Sequence, residues 1–223
     1  MATLGQMAAT VAHNIKNPLS SIKTIVQLMQ EDQEVNNRYT RDLTLINNEI
    51  DRLTHSVNQL LKFSKPRDVL DAEVDLQDVL ERVFLVFQPE ALKKGIALKL
   101  HLESAPLRVR GQAEVLAEVF QNLVLNAIEV SPPQTQVQIR ASVQLEEKRK
   151  RVLVQVEDEG SGIPPEVRQH IFKPFFTTKQ KGTGLGLAIV QRRVLDMNGQ
   201  INVVSPVVEN RGTRFELIFA GAD

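Results

Sequence analysis

His13 is followed by asparagines at 14 and 17 and by a proline at 18, in the run HNIKNPLSS. A neutral imidazole is both a nucleophile and a proton acceptor near neutral pH. Asn17 lies one helical turn further on, so its carboxamide shares a face with the ring and can hold a water or a phosphate oxygen beside it. Pro18 has no N–H to give to the Asn14 carbonyl, so a helix through this run is weakened or bent one turn past the histidine. These residues suit chemistry on an outward-facing imidazole, yet the run brings no reagent to it. His55, His101 and His170 lack such neighbours and read as plain surface histidines.

Three later stretches can supply the reagent. In QNLVLNAIEVSP, Asn122 and Asn126 are one turn apart, and two neutral amide oxygens on one face suit a hard cation such as Mg²⁺, with phosphate oxygens and water completing its shell. In VEDEGSGIP, Asp158 ends a strand-like run and can accept from an exocyclic amine such as that of adenine. Gly160 and Gly162 beside it allow a ligand to come close to the backbone. In KGTGLGLAIV, Gly182, Gly184 and Gly186 lead into an amphipathic helix, whose first N–H groups attract anions. Lys179 and Lys181 precede them and can reach phosphates. Phe172, Phe175 and Phe176 in IFKPFFTTK are placed to pin the base of this loop to a core. The glycine spacing differs from the dinucleotide-binding fingerprint, which also follows a strand.

Two kinds of element must position these groups. Residues 1–64 contain one Gly and one Pro and carry helical patterning. From Tyr39 the apolar residues Leu43, Ile46, Ile50, Leu53, Val57 and Leu60 follow in steps of four and three, which is a coiled-coil seam. A first helix presents Leu4, Ala8, Val11, Ile15, Ile22, Ile25 and Met29, with His13 opposite the centre of that stripe. The connection around residues 30–37 is short and polar, so an antiparallel hairpin is expected. A lone hairpin covers both stripes poorly, whereas two copies make a four-helix bundle, so a homodimer is expected. The run SKPRD at 64–68 marks a break. It divides the chain into a helical unit 1–66, a linker 67–74 and a second unit 75–223. In that unit Asp75 caps a helix to about Lys94, helices are expected at 113–130 and 185–197, and strands at 96–102, 137–145, 152–156, 200–204 and 213–219. The order is not the alternation of a parallel doubly wound sheet. It predicts an α/β sandwich, a mixed sheet with helices on one face.

Composition narrows the function classes. Lys plus Arg equals Asp plus Glu, 27 each, and aromatics are 4% with no Trp, so a nucleic-acid surface is not expected. No Cys is present, which removes disulfides and thiolate metal sites and fits a reducing compartment. No apolar run is long enough to span a bilayer and no signal peptide pattern opens the chain. A cytoplasmic fragment without membrane contact is expected, with any membrane anchor of a longer protein lying outside it.

Taken in order, these segments resemble the sensor histidine kinases of two-component systems over nearly the whole chain. HNIKNPL resembles their H box, Asn122 to Asn126 the N box, DEGSG the G1 box, FKPFF the F box, GTGLG the G2 box, and Arg211-Gly212-Thr213 a last glycine box. The resemblance implies a dimerisation and phosphotransfer hairpin followed by an ATP-binding domain of the Bergerat (GHKL) type. It implies autophosphorylation of His13 from ATP, transfer to an Asp of a response-regulator receiver domain, and Mg²⁺ held by Asn126 with Asn122. By the same resemblance Asp158, Gly160, Gly162 and Thr213 belong to the adenine end of the site. Lys179, Lys181, Gly182, Thr183, Gly184, Leu185 and Gly186 belong to the lid and phosphate cradle, and residues 177–181 form a short lid expected to vary without nucleotide. Asn17 matches the position that orients water for dephosphorylating the regulator. Asn14 departs from the pattern, since the family usually has Glu or Asp there to take the ring proton. A slower kinase is expected. Two other readings remain: a GHKL-type ATPase, disfavoured because Asn122 stands where those enzymes keep a Glu base, and a weakly catalytic or non-catalytic dimeric scaffold.

Overall fold

Pro18 is the only strong breaker in the first thirty residues, and the helix α1 runs through it, Ala2–Glu31. α2 follows at Gln33–Ser64, with a non-helical residue at Tyr39. The structure is a computed structural model. It describes residues 2–64, 72–103, 106–146, 149–179, 182–208 and 211–222, the side chains of residues 2–14, 55, 59–64 and 146 excepted. Two compact units divide it, Met1–Arg67 and Asp68–Asp223.

In the first unit the helices turn back on each other. Lys23 Nζ meets Asp51 Oδ1 at 2.5 Å, and Asn47 Nδ2 donates to Gln30 Oε1 at 2.9 Å. The connection is shorter than its polar composition suggests. Only Asp32 separates the helices, and its Oδ1 accepts from the N–H groups of Glu34 (3.0 Å) and Val35 (3.1 Å), an N-cap that starts α2 at once. Leu19 and Val26 of α1 are buried with Leu43 and Ile50 of α2, and Val57 continues the buried row. This corrects the expected stripe on α1, which omitted Leu19 and Val26. Ile15, Ile22 and Met29 on α1, and Tyr39, Ile46 and Leu53 on α2, stay exposed in the single chain. Each 4-3 seam therefore has its alternate rungs covered by the hairpin and the others bare.

In the second unit Asp75 caps α3 (Leu76–Lys93) through a 2.9 Å bond from Gln77 N–H. The main sheet has five strands in the order β2-β4-β5-β7-β6: β2 Ala97–Leu102, β4 Gln136–Glu146, β5 Arg149–Asp158, β7 Thr213–Ala220 and β6 Gln200–Val204. β2 is parallel to β4 and every other pairing is antiparallel, the mixed sheet that was expected. A second, two-stranded sheet pairs β1 (Ala72–Asp75) with β3 (Arg108–Gly111). Residues 72–74, expected at the end of the linker, thus form a strand; residues 65–71 lie outside the described residues. α4 (Ala113–Val130) and α6 (Gly186–Asp196) complete the layer, with a one-turn α5 at Pro165–Arg168.

Strand period two decides where the core lies. Val152, Val154 and Val156 of β5 and Phe215, Leu217 and Phe219 of β7 are buried on one face with α4 residues Phe120, Leu123, Val124 and Ala127. The other face is polar, with Gln155 bonded to Glu216 (2.9 Å) and Arg214 to Glu157 (2.7 Å). Burying apolar area at about 25 cal/mol per Å² is what holds helices to the one face only. Among the described residues no helix is long and apolar enough to cross a membrane.

Candidate functional site

The inward row of β5 ends on a carboxylate. Asp158 follows Val152, Val154 and Val156 with the same orientation and is 5% exposed. Its Oδ1 accepts the N–H of Gly160 at 2.8 Å and that of Thr213, its register partner on β7, at 3.2 Å. Among the described residues Oδ2 carries no hydrogen bond, so it is the oxygen left for an incoming donor. Burial pushes this carboxyl up from its ordinary 3.8 to about 6; the two N–H bonds and the Lys179 charge oppose the rise and Glu157 adds to it. It is ionised at neutral pH.

The glycine turn after Asp158 is packed from two sides. A Cβ on Gly160 would lie 2.8 Å from the Val130 carbonyl at the end of α4. Gly162 has φ +75°, and Gly212, with φ +81°, donates its N–H to Gly160 O at 2.7 Å. Ser205, unremarked in the sequence, ties these together. Its Oγ accepts from Ile163 N–H at 2.6 Å and donates to Gly212 O at 3.0 Å, and its carbonyl accepts from Arg168 Nη2. No local pattern announces this serine; its partners come from three other segments.

Along α4 the buried residues leave one half-buried stripe, Asn122 and Asn126, that continues to the exposed Glu129. Asn122 Nδ2 donates back to Glu118 O at 2.8 Å, and Asn122 Oδ1 sits 3.0 Å from where a Gly186 Cβ would be. The third glycine of the triplet thus lets the start of α6 lie against the paired amides. Gly184 has φ +66°; a Cβ there would fall 2.7 Å from Phe176 N, and its carbonyl accepts from Phe175 N–H at 2.9 Å. The F box divides its work differently from expectation. Phe172 and Phe176 pack on the core, and Phe172 meets Phe215 edge-on at 6.5 Å. Phe175 is 64% exposed, with φ +67°, and contributes its backbone rather than its ring. His170 is not a plain surface residue. It is half-buried, with its ring 5.8 Å from that of Phe176.

Lys179 Nζ donates to Asn126 Oδ1 at 3.0 Å and is ion-paired to Glu129. Thr183 Oγ1 accepts from Leu185 N–H at 3.4 Å. Asp158, Gly160, Gly162 and Thr213 are therefore gathered at one end of α4, and Asn122, Asn126, Lys179 and Gly186 along its side, while Gly184 lies against the Phe175–Phe176 backbone. Lys181 lies outside the described residues. His13 and Asn14 are carried by α1, but their side chains, and so the outward orientation expected of His13, also lie outside the description. Asn17 is exposed, and the carbonyls of Lys16 and Asn17 accept the Ser20 and Ser21 hydroxyls at 2.9 and 3.2 Å.

Among the described residues no three His, Cys, Asp or Glu side chains gather into a metal cage. The donor set still fits a hard cation shared with phosphates. A cationic group, the Lys179 ammonium, already rests on the Asn126 amide oxygen, and the neighbouring Asn122 oxygen is turned to the start of α6.

An acid-and-glycine turn at the end of a central strand, facing a glycine-opened helix across an asparagine helix, defines a class of nucleotide-binding ATPase folds. Residues 111–222 match the family model for histidine kinase-, DNA gyrase B- and HSP90-like ATPases, and residues 3–68 match that for the His kinase A (phospho-acceptor) domain. The chain is 34% identical over 217 residues to the sensor histidine kinase ZraS of Salmonella typhimurium, covering 97% of this chain and 46% of that protein. It is 34% identical over 220 residues to sporulation kinase A of Bacillus subtilis, covering 98% and 35%. The chain thus spans less than half the length of these relatives. Among solved structures, full-length ShkA in complex with AMPPNP superposes with a TM-score of 0.80 at 26% identity, covering 97% of this chain and 46% of that one. Histidine kinase ThkA in complex with the response regulator protein TrrA gives 0.68 at 30% identity, covering 98% and 62%. The chain belongs to the two-component sensor histidine kinases and comprises their catalytic core.

Proposed function

We propose that this chain transfers the γ-phosphoryl group of ATP to His13 and then to an aspartate of a response-regulator receiver domain. The observation that carries the ATP half is Asp158: a buried carboxylate with Oδ1 fixed by two backbone N–H groups and Oδ2 left for an exocyclic amine. AMPPNP in ShkA and the regulator bound to ThkA support the two halves of the reading. Gly182, Gly184 and Gly186 let the lid and the α6 N-terminus approach the phosphates, and Lys179 offsets their charge. Asn126, with Asn122, is the residue to hold Mg²⁺, which when bound neutralises phosphate charge.

The step balances simply. A nitrogen of neutral His13 attacks the γ-phosphorus and a P–N bond forms. The bond from that phosphorus to the β–γ bridging oxygen breaks, and ADP leaves with the electron pair. The ring then sheds a proton. Asn14 can accept a hydrogen bond from the ring but cannot take that proton. Asn17, exposed on the same helix, orients water against the phosphorylated regulator in this reading, which adds a phosphatase activity; its exposure and its match to the family position support it. The bare rungs Ile15, Ile22, Met29, Tyr39, Ile46 and Leu53 suit a second copy of the hairpin, so the working form is a homodimer.

Incubation with γ-labelled ATP tests this. Acid-labile, alkali-stable label that disappears in His13→Ala is expected. ATP turnover without label makes the chain a hydrolase of the same fold, and neither makes it a scaffold. For the phosphatase, Asn17→Ala that dephosphorylates a regulator as fast as the parent overturns that role.

A further inference from the structure

Lys179 and Glu129 contact each other across 50 residues of sequence, and the site as described above leaves Glu129 without a task. A carboxylate beside a phosphate site is unfavourable, because it repels the polyanion the site exists to bind. Glu129 is one turn beyond Asn126 on the same stripe of α4, so it faces the lid. Its partner is not a loose surface lysine. The Lys179 backbone N–H donates to Thr177 Oγ1 at 3.1 Å and its carbonyl accepts from Gly182 N–H at 3.2 Å, so the lid holds the residue from both sides. Its ammonium rests on Glu129 and, at 3.0 Å, on Asn126 Oδ1, the oxygen assigned above to the divalent cation.

We propose that Lys179 is a resident substitute for the nucleotide's divalent cation, held in place by Glu129 as a positioning residue. In the arrangement described, the ammonium occupies the Asn126 oxygen and ties Lys179 to α4. When nucleotide enters, the ammonium gives up that oxygen and turns to the phosphates while Glu129 keeps it within reach. Glu129 is tolerated there because it is neutralised in both states. The proposal rests on the nucleotide-site reading and adds a consequence that reading does not contain. Where no magnesium is present, Lys179 is, among the described residues, the cation seen at the Asn126 oxygen and within reach of the phosphates, so its loss must weaken magnesium-free binding more than magnesium-loaded binding.

The test is calorimetric titration of ADP into the full chain, once in EDTA and once in excess magnesium. For Lys179→Met the expected affinity loss in EDTA is about tenfold, the worth of one charge-assisted hydrogen bond, against less than about threefold with magnesium. Lys179→Arg should recover most of it. Equal losses in both buffers make Lys179 an ordinary phosphate ligand and overturn the proposal, as does no loss in either. A second measurement needs no ligand. In the nucleotide-free protein Glu129→Gln should speed amide exchange over residues 177–184, with Lys179→Arg close to the parent. Unchanged exchange in Glu129→Gln overturns the positioning role. If the parent binds no ADP in either buffer, the nucleotide reading itself fails; if it binds and the variants match it, only this inference fails.

Discussion

By the family resemblance, Asn14 stands where an acid is usual. In the proposed reaction an amide next to His13 cannot take the ring proton, and positioned general bases contribute about a hundredfold or more to such steps. Asn14→Glu is therefore expected to speed His13 labelling by at least about tenfold in single-turnover assays; an unchanged rate removes Asn14 from the mechanism. Asp158 carries the clearest pH dependence. Its folded carboxyl titrates near 6 against an ordinary 3.8, because burial disfavours the charge. Between those values the folded chain holds a proton that the unfolded chain has lost. The contribution of Asp158 to stability is thus full below about pH 4 and is lost as pH rises through about 6, by at most about 3 kcal/mol. Binding runs the other way, since the ionised form is the better acceptor. ADP affinity should fall as pH drops through 6, and Asp158→Asn should remove that step while leaving the one due to the nucleotide's own phosphate. Asp158 itself was legible, because a strand of alternating Val ended on an acid before two glycines. Its elevated proton affinity was not, because that comes from burial in the assembled fold, against which the Gly160 and Thr213 N–H bonds act.

At the scale of elements, the glycine-opened α6 is held by backbone as much as by side chains. Gly184 combines a left-handed φ of +66° with a hydrogen bond to Phe175, and a Cβ there would meet the Phe175–Phe176 backbone. Gly184→Ala should cost roughly 1–3 kcal/mol of local strain and lower ADP affinity by about tenfold or more; thermal melts and titration check the two numbers separately. The long elements were readable in advance. α3, α4, α6 and the five strands of the main sheet each carry a period of 3.6 or 2 over enough residues to be counted. β1 and β3 were missed for lack of length. AEVD and RVRG each bury one valine or little more between charges, and their pairing, with Arg108 on Glu73 at 2.8 Å, is made across the sequence rather than along it. The hairpin turn was misread for the opposite reason. Polar residues at 30–37 look like a loop, but Asp32 caps them into helix. The Lys179–Glu129 contact left only a faint trace, an acid on the asparagine stripe opposite a lid lysine.

At the scale of the molecule, the two units differ in how complete they are. Residues Asp68–Asp223 have a closed core and contain the proposed nucleotide site, whereas the hairpin buries alternate rungs and leaves Ile22, Met29, Ile46 and Leu53 exposed. Apolar rows of this regularity are unstable in water without a covering surface, and the matching row on a second hairpin supplies one of the same spacing. Charging two of the bare rungs while leaving the buried ones intact separates association from folding. Ile22→Asp with Ile46→Asp should sediment as a monomer at concentrations where the parent is a dimer. ADP affinity should stay within about twofold of the parent, because the substitutions fall in a different compact unit from the proposed nucleotide site. The label on His13 then carries information that neither measurement holds alone. If each imidazole is phosphorylated by the nucleotide unit of its own chain, labelling of the monomer persists and is independent of protein concentration. If the partner's unit does the work, labelling of the charged variant falls with the dimer, and raising the concentration restores it in step with association.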